Sequence, residues 1–259
     1  MIFDKLPINE LAIIVYFEQP IMELRSEHVG VFWNKIRRDF QRIEQKLPSI
    51  TQLPGMPADM YFDIVPVPGE IFPMPRFWLV GTDDAHLIQI QREAFIVNWR
   101  RKQQVYPRYE AVKAEFDRWF ATFCAFVTEE LGVAAPVPRL CELLYINLIE
   151  SGDLWRGAGD TNKVIAGFAL PELNGVRSAF PNFQQVASSE VKPGLWVTVT
   201  AKNGRRAVEQ DEVLIFELKA SGLTTSLAES ASWFDDAHAE IKKVFAAFTT
   251  EEARRTWKQ

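Results

Sequence analysis

Cysteine and histidine are scarce in this chain, and long apolar runs are missing altogether. Its two cysteines, Cys124 and Cys141, cannot by themselves build a disulfide framework or a four-ligand zinc site. Cys124 sits among Phe120, Phe123 and Phe126, the setting of an inert buried thiol. The three histidines, His28, His86 and His238, fall far apart in different predicted elements, so no metal site is expected. No stretch approaches the roughly 20 apolar residues that a membrane span needs. The start, Met1-Ile2-Phe3-Asp4-Lys5, lacks the basic, apolar and small-residue segments of a signal peptide, which makes a cytoplasmic location the expectation. Also missing are His-Glu-x-x-His, Gly-x-Ser-x-Gly, a Walker-type loop and a dinucleotide glycine fingerprint, so no cofactor is expected. The net charge of −5 argues against extended nucleic acid as a partner, though a local basic patch remains compatible with it.

What the chain does have is apolar and aromatic bulk. At 259 residues, 47% hydrophobic with 8 Trp and 19 Phe, it can bury a sizeable core as one large domain or two small ones. Leu11 to Phe17 reads as a buried strand. Ser26 is placed to cap a helix whose apolar face runs through Val29, Phe32, Trp33, Ile36, Phe40, Ile43 and Leu47, with Pro48 ending it. Residues 48–75, rich in Pro and Gly, read as loop around a short strand, Met60 to Val65. Strands follow at Phe77–Val80, Leu87–Arg92 and Phe95–Arg100, with a turn at Asp83-Asp84. A long helix begins at Tyr109 and is closed by Gly132.

The segment Ala134 to Pro138 marks a boundary beyond which the pattern begins again. Leu140–Ile149 reads as a strand, residues 152–175 as irregular, and Gln184–Val191, Leu195–Ala201 and Val213–Ala220 as strands. Lys202-Asn203-Gly204 carries a turn signature. A last long helix starts near Leu227, and Thr249-Thr250-Glu251-Glu252 caps a short one ending near Trp257. Glu10-Leu11 through Glu18 also resembles Glu142-Leu143 through Glu150. The expectation is an α+β fold of two related half-units, 1–134 and 135–259, integrated into one unit. Each half has a mainly antiparallel sheet with a long C-terminal helix on one face. The element order resembles a TATA-binding-protein-like half, or a helix-grip protein; both are analogies of fold alone.

Three groups of motifs carry a resemblance. The first runs from Pro75-Arg76-Phe77-Trp78 through Leu87 to Gln91, then Asn98-Trp99-Arg100-Arg101 and Tyr106-Pro107-Arg108-Tyr109. The second is Glu142-Leu143-Leu144-Tyr145-Ile146-Asn147, and the third Asp236-Ala237-His238 with Phe245 to Phe248 and Trp257. In combination they resemble a sporadically distributed bacterial family of uncharacterised function. That resemblance implies no catalytic residues, and its patchy distribution is of the kind seen in defence-linked genes.

An antiparallel sheet with helices on one face leaves the other face open. Gln89 and Gln91 would point there, opposite Ile88 and Ile90, as would Trp196 opposite Leu195 and Val197. The densest polar, basic and aromatic cluster includes Asn98, Trp99, Arg100 and Tyr106; Trp or Tyr stacking beside Arg could hold a base or a single strand. The pairs Arg37-Arg38 and Arg205-Arg206 read as exposed. His238, with Asp235 one helical turn earlier, could form a general base, or simply a core-edge histidine tied by a hydrogen bond. Glu142 either faces the open side or pairs with Arg76 or Arg100, and by strand parity it opposes Asn147.

Together these observations lead to a non-enzymatic binding module using the open sheet face and the 152–174 loop to take a protein partner or small ligand. One alternative is a nucleotide or nucleic-acid binder through Asn98 to Tyr109. The other is a hydrolase using His238 with Asp235 or Glu142.

Overall fold

The computed structural model describes residues 6–48, 74–102, 105–168, 182–206, 211–224 and 226–258. The chain is α+β, with a large antiparallel sheet and helices packed on it. It divides into two compact units, one comprising Leu11–Leu143 with Ser221–Asp236, the other Met1–Glu10, Leu144–Ala220 and Ala237–Gln259.

In the first of these, β1 (Ile8–Phe17) is buried over nearly its whole length, as its unbroken apolar run requires. Helix α1 (Ser26–Ile36) has Arg25 rather than Ser26 at its cap, where the Arg25 N–H donates to His28 Nδ1 at 3.2 Å. The helix stops at Ile36, and the apolar periodicity through Phe40, Ile43 and Leu47 belongs instead to a strand, β2 (Phe40–Lys46). The cause is tertiary. The Asp39 N–H closes a turn on the Ile36 carbonyl at 3.0 Å, and Trp33 Nε1 donates to the Phe40 carbonyl at 2.7 Å. The backbone beyond then pairs antiparallel with β3 (Arg76–Gly81), Glu44 opposite Trp78 and Lys46 opposite Arg76. Pairing with a distant strand has overridden local helix periodicity. The strand expected at Met60–Val65 lies outside the described residues.

Strands β3, β4 (His86–Gln91) and β5 (Ala94–Arg100) form an antiparallel meander. Its first turn is held by Asp83 Oδ1, which accepts from the N–H groups of Ala85 and His86 at 2.9 and 3.0 Å. Helix α2 (Tyr109–Glu130) packs an aromatic stripe on this meander: Phe95 lies 5.0 Å from Phe123 and 5.4 Å from Phe120, ring centre to ring centre. Each buried Phe contributes about 1.5–3 kcal/mol, so this face carries much of the unit's stability. Gly132, at φ 69°, ends α2 in the left-handed region expected of it.

The second half of the chain supplies β6 (Pro138–Glu150), a 3-10 turn (Ala158–Asp160), α3 (Thr161–Val164), β7 (Gln184–Lys192), β8 (Leu195–Arg205), β9 (Glu212–Leu223), α4 (Leu227–Phe248) and α5 (Glu251–Thr256). The strand order is β2-β3-β4-β5-β1-β6-β9-β8-β7. In β8 the expected alternation holds, with Leu195, Val197, Val199 and Ala201 buried and Trp196, Thr198 and Thr200 half-buried. Lys202-Asn203-Gly204 is not a turn but the continuation of β8. Asn203 Oδ1 accepts from the Phe183 N–H at 2.9 Å, and a Cβ on Gly204 would meet Ile215 Cδ1 at 2.7 Å. The glycine thus serves close strand packing. Thr250 caps α5, accepting from the Ala253 N–H at 3.1 Å, while Trp257 packs on Phe245. Among the described residues no helix is long and apolar enough to cross a membrane.

Candidate functional site

Strand parity sorts the meander's side chains. Phe95, Val97 and Trp99 are turned toward α2, so Ile96, Asn98 and Arg100 occupy the opposite face. Register places Trp78 directly across from Gln89, and Gln89 across from Ile96. The face opposite α2 therefore carries Glu44 and Lys46 from β2, Arg76 and Trp78 from β3, Gln89 and Gln91 from β4, and Asn98 and Arg100 from β5.

Trp78 is its centre. Lys46 Nζ stands 4.8 Å from the ring centroid, and the guanidinium carbons of Arg100 and Arg76 stand 5.4 and 5.7 Å away. Such contacts attract a cation to the ring face, yet they gather like charges. Lys46 is neutralised by Glu44 at 2.8 Å, and Glu44 also takes Arg42 at 2.9 Å. Hydrogen bonds from Lys46 and then Arg42 hold the Glu44 carboxyl below the usual carboxylate range. Arg42 also pairs with Asp84 at 2.7 Å, whereas among the described residues the Arg100 guanidinium donates only to the Asp84 backbone carbonyl, at 3.1 Å. The Arg76 side chain makes no hydrogen bond or ion pair among the described residues. Burial holds its guanidinium below the ordinary arginine value, with the Tyr16 phenol acting the other way.

Gln89, 6% exposed, donates from Nε2 to Asn98 Oδ1 at 2.7 Å. Among the described residues its Oε1 is buried without a partner, and so are Arg76 Nε, Trp78 Nε1 and Arg100 Nε. A buried polar atom left unpaired costs about 1–3 kcal/mol, and here four of them share one face.

The residues expected from sequence scatter more than they gather. Gln89, Gln91, Asn98 and Arg100 share the Trp78 face, but the first three are buried, not laid open to solvent. Arg100 on β5 reaches over β4, its guanidinium carbon 5.4 Å from the Trp78 ring centroid on β3. Trp99 lies on the other face, fully buried, with Tyr106 edge-on at 5.3 Å, so the run Asn98 to Tyr109 is not one surface. Trp196 is half-buried on β8, paired with Glu190 of β7. Of the expected 152–174 loop, residues 169–174 lie outside the described residues. The rest is turns plus α3, anchored by Trp155, whose Nε1 donates to Thr161 Oγ1 at 3.2 Å.

His238 Nδ1 lies 2.9 Å from the Tyr145 hydroxyl, while Asp235 accepts from Tyr109 at 2.9 Å. Among the described residues no hydrogen bond joins Asp235 to His238, so of the two readings of His238 the geometry gives the one tied by a hydrogen bond, to Tyr145, and not the acid–base pair. Glu142 is buried and accepts from Ser221 Oγ at 3.2 Å rather than pairing with Arg76 or Arg100, whose cationic groups lie beside Trp78. Asn147 donates to the Phe216 carbonyl at 3.0 Å. Burial pushes the Cys124 and Cys141 thiols up to about 11 and about 12, which leaves both protonated and poorly nucleophilic at neutral pH. No cluster of metal-ligating side chains occurs among the described residues.

Sequence reasoning missed Trp78 and Lys46. Trp78 stood inside a quoted motif with Gln89 opposite in the meander, a signal that alternation could have used. Lys46 was hidden because residues 40–46 read as helix. No family model, curated protein or solved structure matches this chain.

Proposed function

We propose that the protein is a non-enzymatic, cytoplasmic binding module that receives its ligand on the face of β2–β5 opposite α2, centred on Trp78. The observation that carries this reading is the grouping of Gln89 Oε1, Arg76 Nε, Trp78 Nε1 and Arg100 Nε, all buried and unpaired, on that one face. Native proteins pair nearly all such atoms, so a concentration of exceptions is what a ligand would satisfy. The two-half-unit reading belongs to the same proposal. Outward from β1 the sheet runs β5, β4, β3, β2, and outward from β6 it runs β9, β8, β7, which supports a repeated, TATA-binding-protein-like order of elements. The resemblance to a sporadically distributed bacterial family, and a link to defence, stand with it.

Native mass spectrometry of gently purified protein tests the binding reading. A bound species should accompany the wild type and be lost from a Trp78→Ala, Arg76→Gln double variant. A bound species that survives both substitutions unchanged sinks it.

A further inference from the structure

We propose that the Trp78 face binds a small oxyanion, a phosphate or carboxylate group of a small polar molecule, through the Arg76 and Arg100 side chains. This rests on the binding-module reading and specifies its ligand. Three of the four unpaired atoms, Arg76 Nε, Arg100 Nε and Trp78 Nε1, are donors, and all three therefore require acceptors. The fourth, Gln89 Oε1, requires a donor, which fits a hydroxyl or amino group beside the oxyanion. Two guanidiniums without carboxylate partners suit planar, charge-assisted recognition of such a group. Among the described residues the carboxylates there are already engaged: Glu44 by Lys46 and Arg42, Asp84 by Arg42.

Access is available although the atoms themselves are covered. Arg76, Trp78, Arg100 and Lys46 each keep part of their surface exposed, so rotation of long side chains opens the face without moving a strand. The size argument favours a small molecule. A polyanion would have to approach a protein of net charge −5 with, among the described residues, only two guanidiniums free of a carboxylate partner to receive it here.

The test is an NMR titration that follows the Trp78 indole N–H and the Nε–H groups of Arg76 and Arg100, assigned from Trp78→Phe, Arg76→Gln and Arg100→Gln. The probes are inorganic phosphate and citrate, against sodium chloride at matched ionic strength. Saturable shifts of these three resonances are expected with phosphate or citrate and not with chloride, and at least tenfold weaker binding in Arg76→Gln. Arg76→Lys keeps the charge but lacks the Nε–H fork; it should also bind several-fold more weakly, which covers the case in which the glutamine variant fails to fold. Shifts that track ionic strength alone overturn the proposal, as does a 20-nucleotide single strand that binds more tightly than either probe at equal salt. If both probes fail while a Trp78-dependent ligand is still seen by native mass spectrometry, the oxyanion assignment falls and the binding module stands. If neither is seen, both fall.

Discussion

The Tyr109 hydroxyl donates a hydrogen bond to the Asp235 carboxylate at 2.9 Å, tying the first residue of α2 to α4. Burial, and then that carboxylate, raise the phenol's pKa far above its ordinary value. A raised folded-state pKa means that stability is fully present below the unfolded value, about 10, and is lost as pH climbs above it. Tyr109→Phe should lower stability at neutral pH by about 1 kcal/mol, the usual worth of one hydrogen bond. The deficit should shrink, and then reverse, as the wild type enters strongly alkaline solution. Urea unfolding at pH 7 and again above pH 10 measures both; a deficit that grows with pH contradicts the account.

The turn between α1 and β2 separates two readings of residues 37–47. Were this segment helical, Phe40 and Leu47 would share an apolar face and cost similar amounts on truncation. In the structure Phe40 is buried edge-on to Trp119 at 5.2 Å, while Leu47 is 85% exposed. Phe40→Ala should cost about 3–5 kcal/mol, and Leu47→Ala should stay within about 0.5 kcal/mol. Equal costs in chemical denaturation would restore the helix.

That segment also shows where legibility ended. The meander, α2, α4 and the α5 cap were readable because periods of 2 and 3.6 and large aromatic residues act locally. At 40–46 the deciding partner is β3, and no local pattern announces a long-range pairing. The site shares the difficulty. Alternation brought out Gln89 and Gln91, and local composition Asn98 and Arg100, but the gathering of Lys46, Arg76 and Arg100 at Trp78 needs the registers of three strand pairs at once. His238 and Asp235 illustrate the converse. Their spacing permitted an acid–base pair, and Tyr145 and Tyr109, distant in sequence, gave each a different partner.

Gly204 offers a test of strand packing in β8. A Cβ there would fall 2.7 Å from Ile215 Cδ1, the far end of a flexible side chain. Gly204→Ala should therefore destabilise mildly, at the low end of the roughly 1–3 kcal/mol overpacking range, because the half-buried Ile215 methyl can swing partly aside. Trimming the offending methyl with Ile215→Val should relieve it, so the double variant should be more stable than the two single effects predict. Strict additivity in thermal or urea unfolding would mean that the glycine is there for some other reason.

Asp83 sets the acid limb of stability for the β3–β4 turn. Burial acts to raise its pKa, but hydrogen bonds from the His86 backbone and ring, with that of Ala85, outweigh it and hold the carboxyl below its ordinary value. The ring contact is 2.6 Å, Nδ1 to Oδ2. A depressed folded-state pKa contributes stability that is present above the unfolded value, about 3.9, and is lost as pH falls through the folded one. Asp83→Asn keeps an oxygen for the two backbone N–H groups but removes the charge and puts an NH2 donor where Oδ2 faces His86 Nδ1. The variant should be less stable than wild type at pH 6, and the gap should close as pH falls through the folded-state pKa, which lies below the ordinary aspartate value. Asp83→Ala removes the acceptor as well and should remain about 1–2 kcal/mol less stable even in acid, because the Ala85 and His86 amides are left unpaired. Unfolding curves at both pH values separate charge from geometry: a gap for Asp83→Asn that does not narrow in acid would mean that the turn depends on shape alone.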